Sequence, residues 1–140
     1  MSKKIFISYN FKDKQFAGSV KSFFQKQGGK CQGSPVYVTN DVSAGGSDAI
    51  DAEIKRVMKP CEAILFIVGD NSHNSPWINR EAKLAISLGL GLVAIQIPNT
   101  HGGIANELKE VKVPFVEWDH DTLCHALNKA WRVGKSTRQG

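Results

Sequence analysis

No apolar run in the 140 residues approaches the roughly 20 that a membrane-spanning helix needs, so no membrane partner is expected. Cysteine is scarce: Cys31, Cys61 and Cys124 are odd in number and include no C-x-x-C pair. Neither a disulfide framework nor a zinc site is expected, and all three read as ordinary thiols of a protein in the reducing cytoplasm. The histidines are few and scattered, and His120 and His125 stand five apart, the wrong spacing for a helical metal pair. A metal is therefore not expected. There is no G-x-G-x-x-G: Gly89-x-Gly91 and Gly102-Gly103 read as loop punctuation. A secretory leader is not expected either. The basic start, Met1 to Lys4, runs into Ile5-Phe6-Ile7, but polar Asn10, Lys12, Asp13 and Lys14 follow at once. The net charge of +5 comes from scattered lysines and arginines rather than a basic stripe interleaved with aromatics, so nucleic acid is not an expected partner.

What is present fits one globular domain, expected over residues 1–132, with 133–140 as a basic flexible tail. Apolar runs alternate with amphipathic stretches. Lys4 to Tyr9 reads as a strand, and Phe16, Val20, Phe23 and Phe24 at helical spacing make Phe11 to Gln27 a helix ended by Gly28-Gly29. Val36-Tyr37-Val38 is a second strand, and Ala49 to Met58 a helix stopped by Pro60. Ala63 to Val68 is uniformly apolar, as a central parallel strand covered on both faces should be. Ser75-Pro76 opens a helix, Ser as N-cap and Pro in the first turn, that Gly89 ends. Leu92 to Ile97, Ile104 to Leu108, Pro114 to Val116 and Thr122 to Arg132 complete a strand–helix alternation. The predicted fold class is α/β: a flavodoxin-like, doubly wound, five-stranded parallel sheet of order 2-1-3-4-5.

In such a sheet ligands bind at the carboxyl ends of the strands, near the switch between the first and third. The segments there are Ser8 to Asp13, Thr39 to Ser47 and Gly69 to Glu81. They supply the candidate substrate-binding residues Phe6, Ser8, Tyr9, Asn10, Asp41, Gly45, Ser72 and Trp77. Trp77 and Glu81 are four apart on one helix and share a face. A flat ring and a carboxylate could stack a nucleotide base and grip its ribose. The competing reading makes Trp77 a core residue and pairs Glu81 with a nearby lysine or arginine.

Four segments, in order, resemble the TIR family over about residues 3–131. Lys4-Ile5-Phe6-Ile7-Ser8-Tyr9 is similar to its first strand, F-I-S-Y, and Val36 to Gly45 to its second strand and BB loop. Ser75-Pro76-Trp77-Ile78-Asn79-Arg80-Glu81 resembles the S-x-W-x-x-x-E signature of its NAD-consuming members, and Leu92 to Pro98 the fourth strand. Within the family the chain looks closest to the compact bacterial TIR-like domains of Thoeris-type antiphage systems. The resemblance implies an NAD glycohydrolase or ADP-ribosyl cyclase with Glu81 catalytic. NAD is then a substrate, with no further cofactor or metal. It also implies self-association through TIR surfaces, and a product read by a separate effector protein. A TIR module that only self-associates is the alternative. Two departures from the family are Asn10-Phe11-Lys12, where several members carry arginine, and a BB region that is longer before its helix. A phosphoreceiver would share the fold and could use Asp70, but Ser8-Tyr9-Asn10 stands where its acidic pair belongs and Trp118-Asp119 where its lysine belongs.

Overall fold

The computed structural model describes residues 4–25, 33–37, 46–70, 72 and 75–139, with side chains for all of these but Phe11, Ser47 and 132–139. Strand β1 (Lys4–Ser8) leads through a 3-10 turn (Phe11–Asp13) into helix α1 (Lys14–Gln25). There follow β2 (Ser34–Val36), α2 (Gly46–Met58), β3 (Ala63–Val68), α3 (Pro76–Leu88) and β4 (Gly91–Gln96). The chain closes with α4 (Asn106–Glu110), β5 (Phe115–Val116) and α5 (His120–Gln139). The five strands form one sheet in the order β2-β1-β3-β4-β5, and every pairing is parallel. This is the expected order.

Side chains alternate across a strand, so each strand feeds two cores. On one face Phe6, Ile64, Phe66 and Val68 pack with Ile54 and Met58 of α2, Ile78, Ala82 and Ala85 of α3, and Leu108 of α4. On the other, Ile5, Ile7, Leu65 and Ile67 pack with Ala17 and Val20 of α1 and Leu123 and Leu127 of α5. All six residues of β3 are buried, which explains its uninterrupted apolar run.

Several boundaries differ from the expectation. The second strand begins two residues earlier and includes Pro35, because β2 is an edge strand and an edge tolerates a residue without an N–H. Val38 and Gly28-Gly29 lie outside the described residues. Helix α2 starts at Gly46 rather than Ala49, and α5 runs from His120 past Arg132 to Gln139. The cysteines also need correction: Cys124 is disulfide-bonded, while Cys61 is a buried thiol outside any disulfide. An odd count without C-x-x-C speaks only to local pairs, not to cysteines joined by the fold. No described helix is long and apolar enough to cross a membrane.

Candidate active site

Helix α3 is fixed at both ends by its own sequence. The Ser75 hydroxyl accepts the N–H of Ile78 at 3.3 Å, and Pro76 occupies the first turn. At the other end Gly89 takes a left-handed conformation, φ 73°, and its N–H closes on the Ala85 and Ile86 carbonyls. Between these caps Ile78, Ala82 and Ala85 hold the helix on the sheet. Glu81 lies on this buried side and is 1% exposed.

A carboxylate so placed must find partners, and it finds two. Ser8, the last residue of β1, projects to the same sheet face as Phe6 and is 0% exposed. Its hydroxyl donates to Glu81 Oε1 at 2.8 Å. The Trp77 indole N–H, one turn back on α3, donates to the same carboxyl. Burial dominates nonetheless and lifts the Glu81 pKa from its ordinary 4.5 to about 8, with the Ser8 and Trp77 hydrogen bonds acting in the opposite sense. No cation offsets this among the described residues. Arg80 is engaged with Asp51 of α2 at 2.8 Å, and Lys83 faces Glu107 of α4 at 3.8 Å. The pairing of Glu81 with a lysine or arginine, one of the two readings left open by spacing, is therefore not what the fold builds.

The other candidates fall into distinct places. Phe6 is 0% exposed and belongs to the core beneath Ser8. Trp77 is half-buried and packs against that core while presenting its N–H to Glu81, so it is both a packing and a site residue. Tyr9 turns to the opposite face, edge-on to Tyr37 at 6.3 Å between ring centroids, and is not brought to the carboxyl. The Asn10 side chain accepts the Lys12 N–H at 3.2 Å and so opens the 3-10 turn. Ser72 is buried, accepting the Gly69 N–H at 2.8 Å and donating to the Ile67 carbonyl at 3.3 Å, which closes the end of β3. Asp41 and Gly45 lie outside the described residues.

Two features beside the site escape a sequence reading. Arg80–Asp51 ties α3 to α2 next to Glu81, and nothing in the spacing of two residues on different helices announces it. Asp70, considered only as a phosphoacceptor, accepts the backbone N–H of His101 at 2.9 Å and so ties the loop after β3 to the loop after β4. Its charge, after burial, is the second cause that holds the Asp13 carboxyl above its ordinary value.

The sheet order, the Ser–Trp–Glu cluster at its switch point and the capped α3 together define a TIR-type domain. The chain belongs to the family described as Thoeris protein ThsB, TIR-like domain, whose profile matches residues 6–102. Among solved structures it resembles the SEFIR domain of the IL-17 receptor B, with a TM-score of 0.62 and 11% identity over 94% of this chain and 96% of that one. It also resembles the TIR domain of the Toll-related receptor TRR-2 from Hydra magnipapillata, with a TM-score of 0.61 and 11% identity over 94% and 97%. A phosphoheptose isomerase from Francisella tularensis matches at 0.51, with 12% identity over 98% and 74%, so the sheet by itself does not select a chemistry. No match is found among curated protein sequences.

The double duty of Trp77 can be separated experimentally. Trp77→Phe keeps most of the packing and removes the N–H, so it should lower activity with little change in melting temperature. Trp77→Ala should cost roughly 3–5 kcal/mol of stability as well. Activity unchanged in Trp77→Phe, beside a large drop in melting temperature in Trp77→Ala, would assign Trp77 to packing alone.

Proposed function

We propose that the chain is an enzyme that cleaves the nicotinamide–ribose bond of NAD and releases an ADP-ribose-derived signal, cyclic or linear, in antiphage immunity. The observation that carries this reading is the Glu81 carboxyl, buried with no counter-cation among the described residues and held by two neutral donors from two elements. A structural glutamate gains nothing from that setting; burying an unpaired acid costs stability. Perturbed acids concentrate at functional sites. The chemistry suits it. Nicotinamide departs as a neutral molecule, so its departure requires no general acid. Positive charge develops on the ribose, as in other glycosyl transfers, and a fixed carboxylate stabilises that charge and orients the hydroxyls. Trp77, half-buried one turn nearer the strand ends, offers a flat surface beside it.

The carboxylate must be ionised to act. With its pKa at about 8, NAD consumption should rise with pH through that value and fall below it. The direct test is mass spectrometry of the products after incubation with NAD. Free nicotinamide with an ADP-ribose product supports the proposal, and intact NAD across the pH range and protein concentration range refutes it.

A second reading, a module that self-associates without catalysis, draws on the closure of the same site: at 1% exposure the carboxyl is shut away from solvent. The enzyme reading answers that the active form is an assembly in which the site opens. Specific activity should then rise steeply with protein concentration, in step with light scattering. Activity that stays constant in a strict monomer would refute assembly control.

A further inference from the structure

Resting on the proposed function, the geometry points to one more participant: we infer that Ser8 is the positioning residue of the catalytic carboxylate, clamping Glu81 Oε1 from β1 so that the plane of the carboxyl is set by the sheet and not by α3 alone.

Trp77 and Glu81 ride on the same helix, so their hydrogen bond fixes the carboxyl only relative to α3. Ser8 is 73 residues away in sequence, on a strand that pairs with β2 on one side and β3 on the other. Its side chain is 0% exposed and its hydroxyl is 2.8 Å from Oε1, so the bond is short and shielded from water. One donor on the helix and one on the sheet set the carboxyl between two elements. A strand inside a sheet holds a side chain more precisely than a loop does. A small hydroxyl residue is also what this place requires. Phe6, two residues earlier on the same face, fills the core, and a side chain of that size at Ser8 would occupy the space where the carboxyl sits.

The bond has a consequence for protonation. A donor aimed at a carboxylate favours the charged form, and Ser8 is the larger of the two influences that oppose burial at Glu81. The neighbouring charges do not compete for this role. Asp51 on α2 engages Arg80, Glu107 on α4 faces Lys83, and Asp70 acts on Asp13. Tyr9, which follows Ser8 just past the end of β1, turns to Tyr37 on the opposite face. Among the described residues, the balance at Glu81 is therefore struck by burial against two neutral hydrogen bonds, and removing Ser8 should tip it further toward the protonated acid.

The test reads the carboxyl directly. Glu81 is titrated by carbon NMR in protein labelled at the glutamate side-chain carboxyls, with Glu81→Gln identifying its signal. In Ser8→Ala the midpoint should move up by about one pH unit, the worth of one hydrogen bond to a charged group. The acidic limb of the NAD rate profile should move by the same amount, with KM little changed. Ser8→Cys, nearly the same size but a weak donor, should shift the midpoint in the same direction and serves if the alanine variant folds poorly. Ser8→Thr, which keeps the hydroxyl, should return the midpoint toward that of the parent. An unchanged midpoint in both Ser8→Ala and Ser8→Cys would overturn the inference even if NAD is cleaved. Intact NAD with a shifted midpoint would instead overturn the proposed function and uphold the clamp on Glu81.

Discussion

Glu81→Gln should abolish NAD cleavage and, at neutral to alkaline pH, make the protein more stable. The two effects have one origin. Glutamine matches glutamate in size and can still accept from Ser8 and Trp77, so the site keeps its shape. What disappears is the negative charge that opposes a cation developing on the ribose, and a loss of at least about a hundredfold is expected when one preorganised electrostatic partner is removed. The stability effect follows from linkage. A carboxyl whose folded pKa of about 8 stands above its ordinary 4.5 takes up a proton on folding. Its stabilising contribution is full below the unfolded value and is lost as pH rises through the folded one. The parent should therefore weaken relative to Glu81→Gln between about pH 4.5 and 8, by up to roughly 4–5 kcal/mol at the alkaline end. Melting curves of both proteins across this range, beside turnover of NAD, measure it. Wild-type turnover in the variant would remove Glu81 from catalysis. Parallel melting temperatures at every pH would mean that the acid is not buried as a neutral group.

Glu81 is legible in the sequence, while its setting is not. The i, i+4 relation of Trp77 and Glu81 is a local fact of helical geometry, and Ser75-Pro76 and Gly89 mark the two ends of the helix by cap chemistry that depends on neighbours only. The uniform apolar run of β3 reports burial on both faces, and from the alternation of elements the whole sheet order follows. The Ser8–Glu81 bond is of another kind. It spans 73 residues and depends on how far β1 extends and which face its last side chain takes. Ser8 was a candidate because it ends a strand at the switch point, but nothing in its neighbourhood says that it meets a carboxyl. The opposite fate of Tyr9 shows the limit. It is adjacent in sequence and equally polar, and the period of the strand turns it to Tyr37 and the other core. Edge strand β2 lies two residues from its expected place for a related reason: three residues with a proline carry little pattern, and the sheet edge, not local preference, decides where pairing starts.

The loops at the carboxyl edge of the sheet give the second large effect, and two adjacent glycines should respond in opposite ways. Gly102 lies in the loop after β4, where it crosses the loop after β3. A Cβ there would stand 1.9 Å from the Gly69 carbonyl oxygen and 2.8 Å from the Asp70 Cα. Both are backbone atoms, which cannot turn aside as a side chain can. Gly102→Ala must push the two loops apart and strain the hydrogen bond from the His101 N–H to Asp70. The cost should be at the upper end of overpacking, roughly 2–3 kcal/mol or more. Because the loop after β3 leads directly into Ser75 and the first turn of α3, the displacement should also reach Trp77, and activity should fall further than stability alone accounts for. At Gly103 the same added carbon meets nothing within 4 Å, and the backbone is not in the left-handed region. Gly103→Ala should be neutral or stabilising by about 0.4–1 kcal/mol, through the unfolded chain. Melting temperature and NAD turnover for the pair decide the matter. A Gly102→Ala variant as stable and as active as Gly103→Ala would mean that the two loops do not approach as closely as the fold requires.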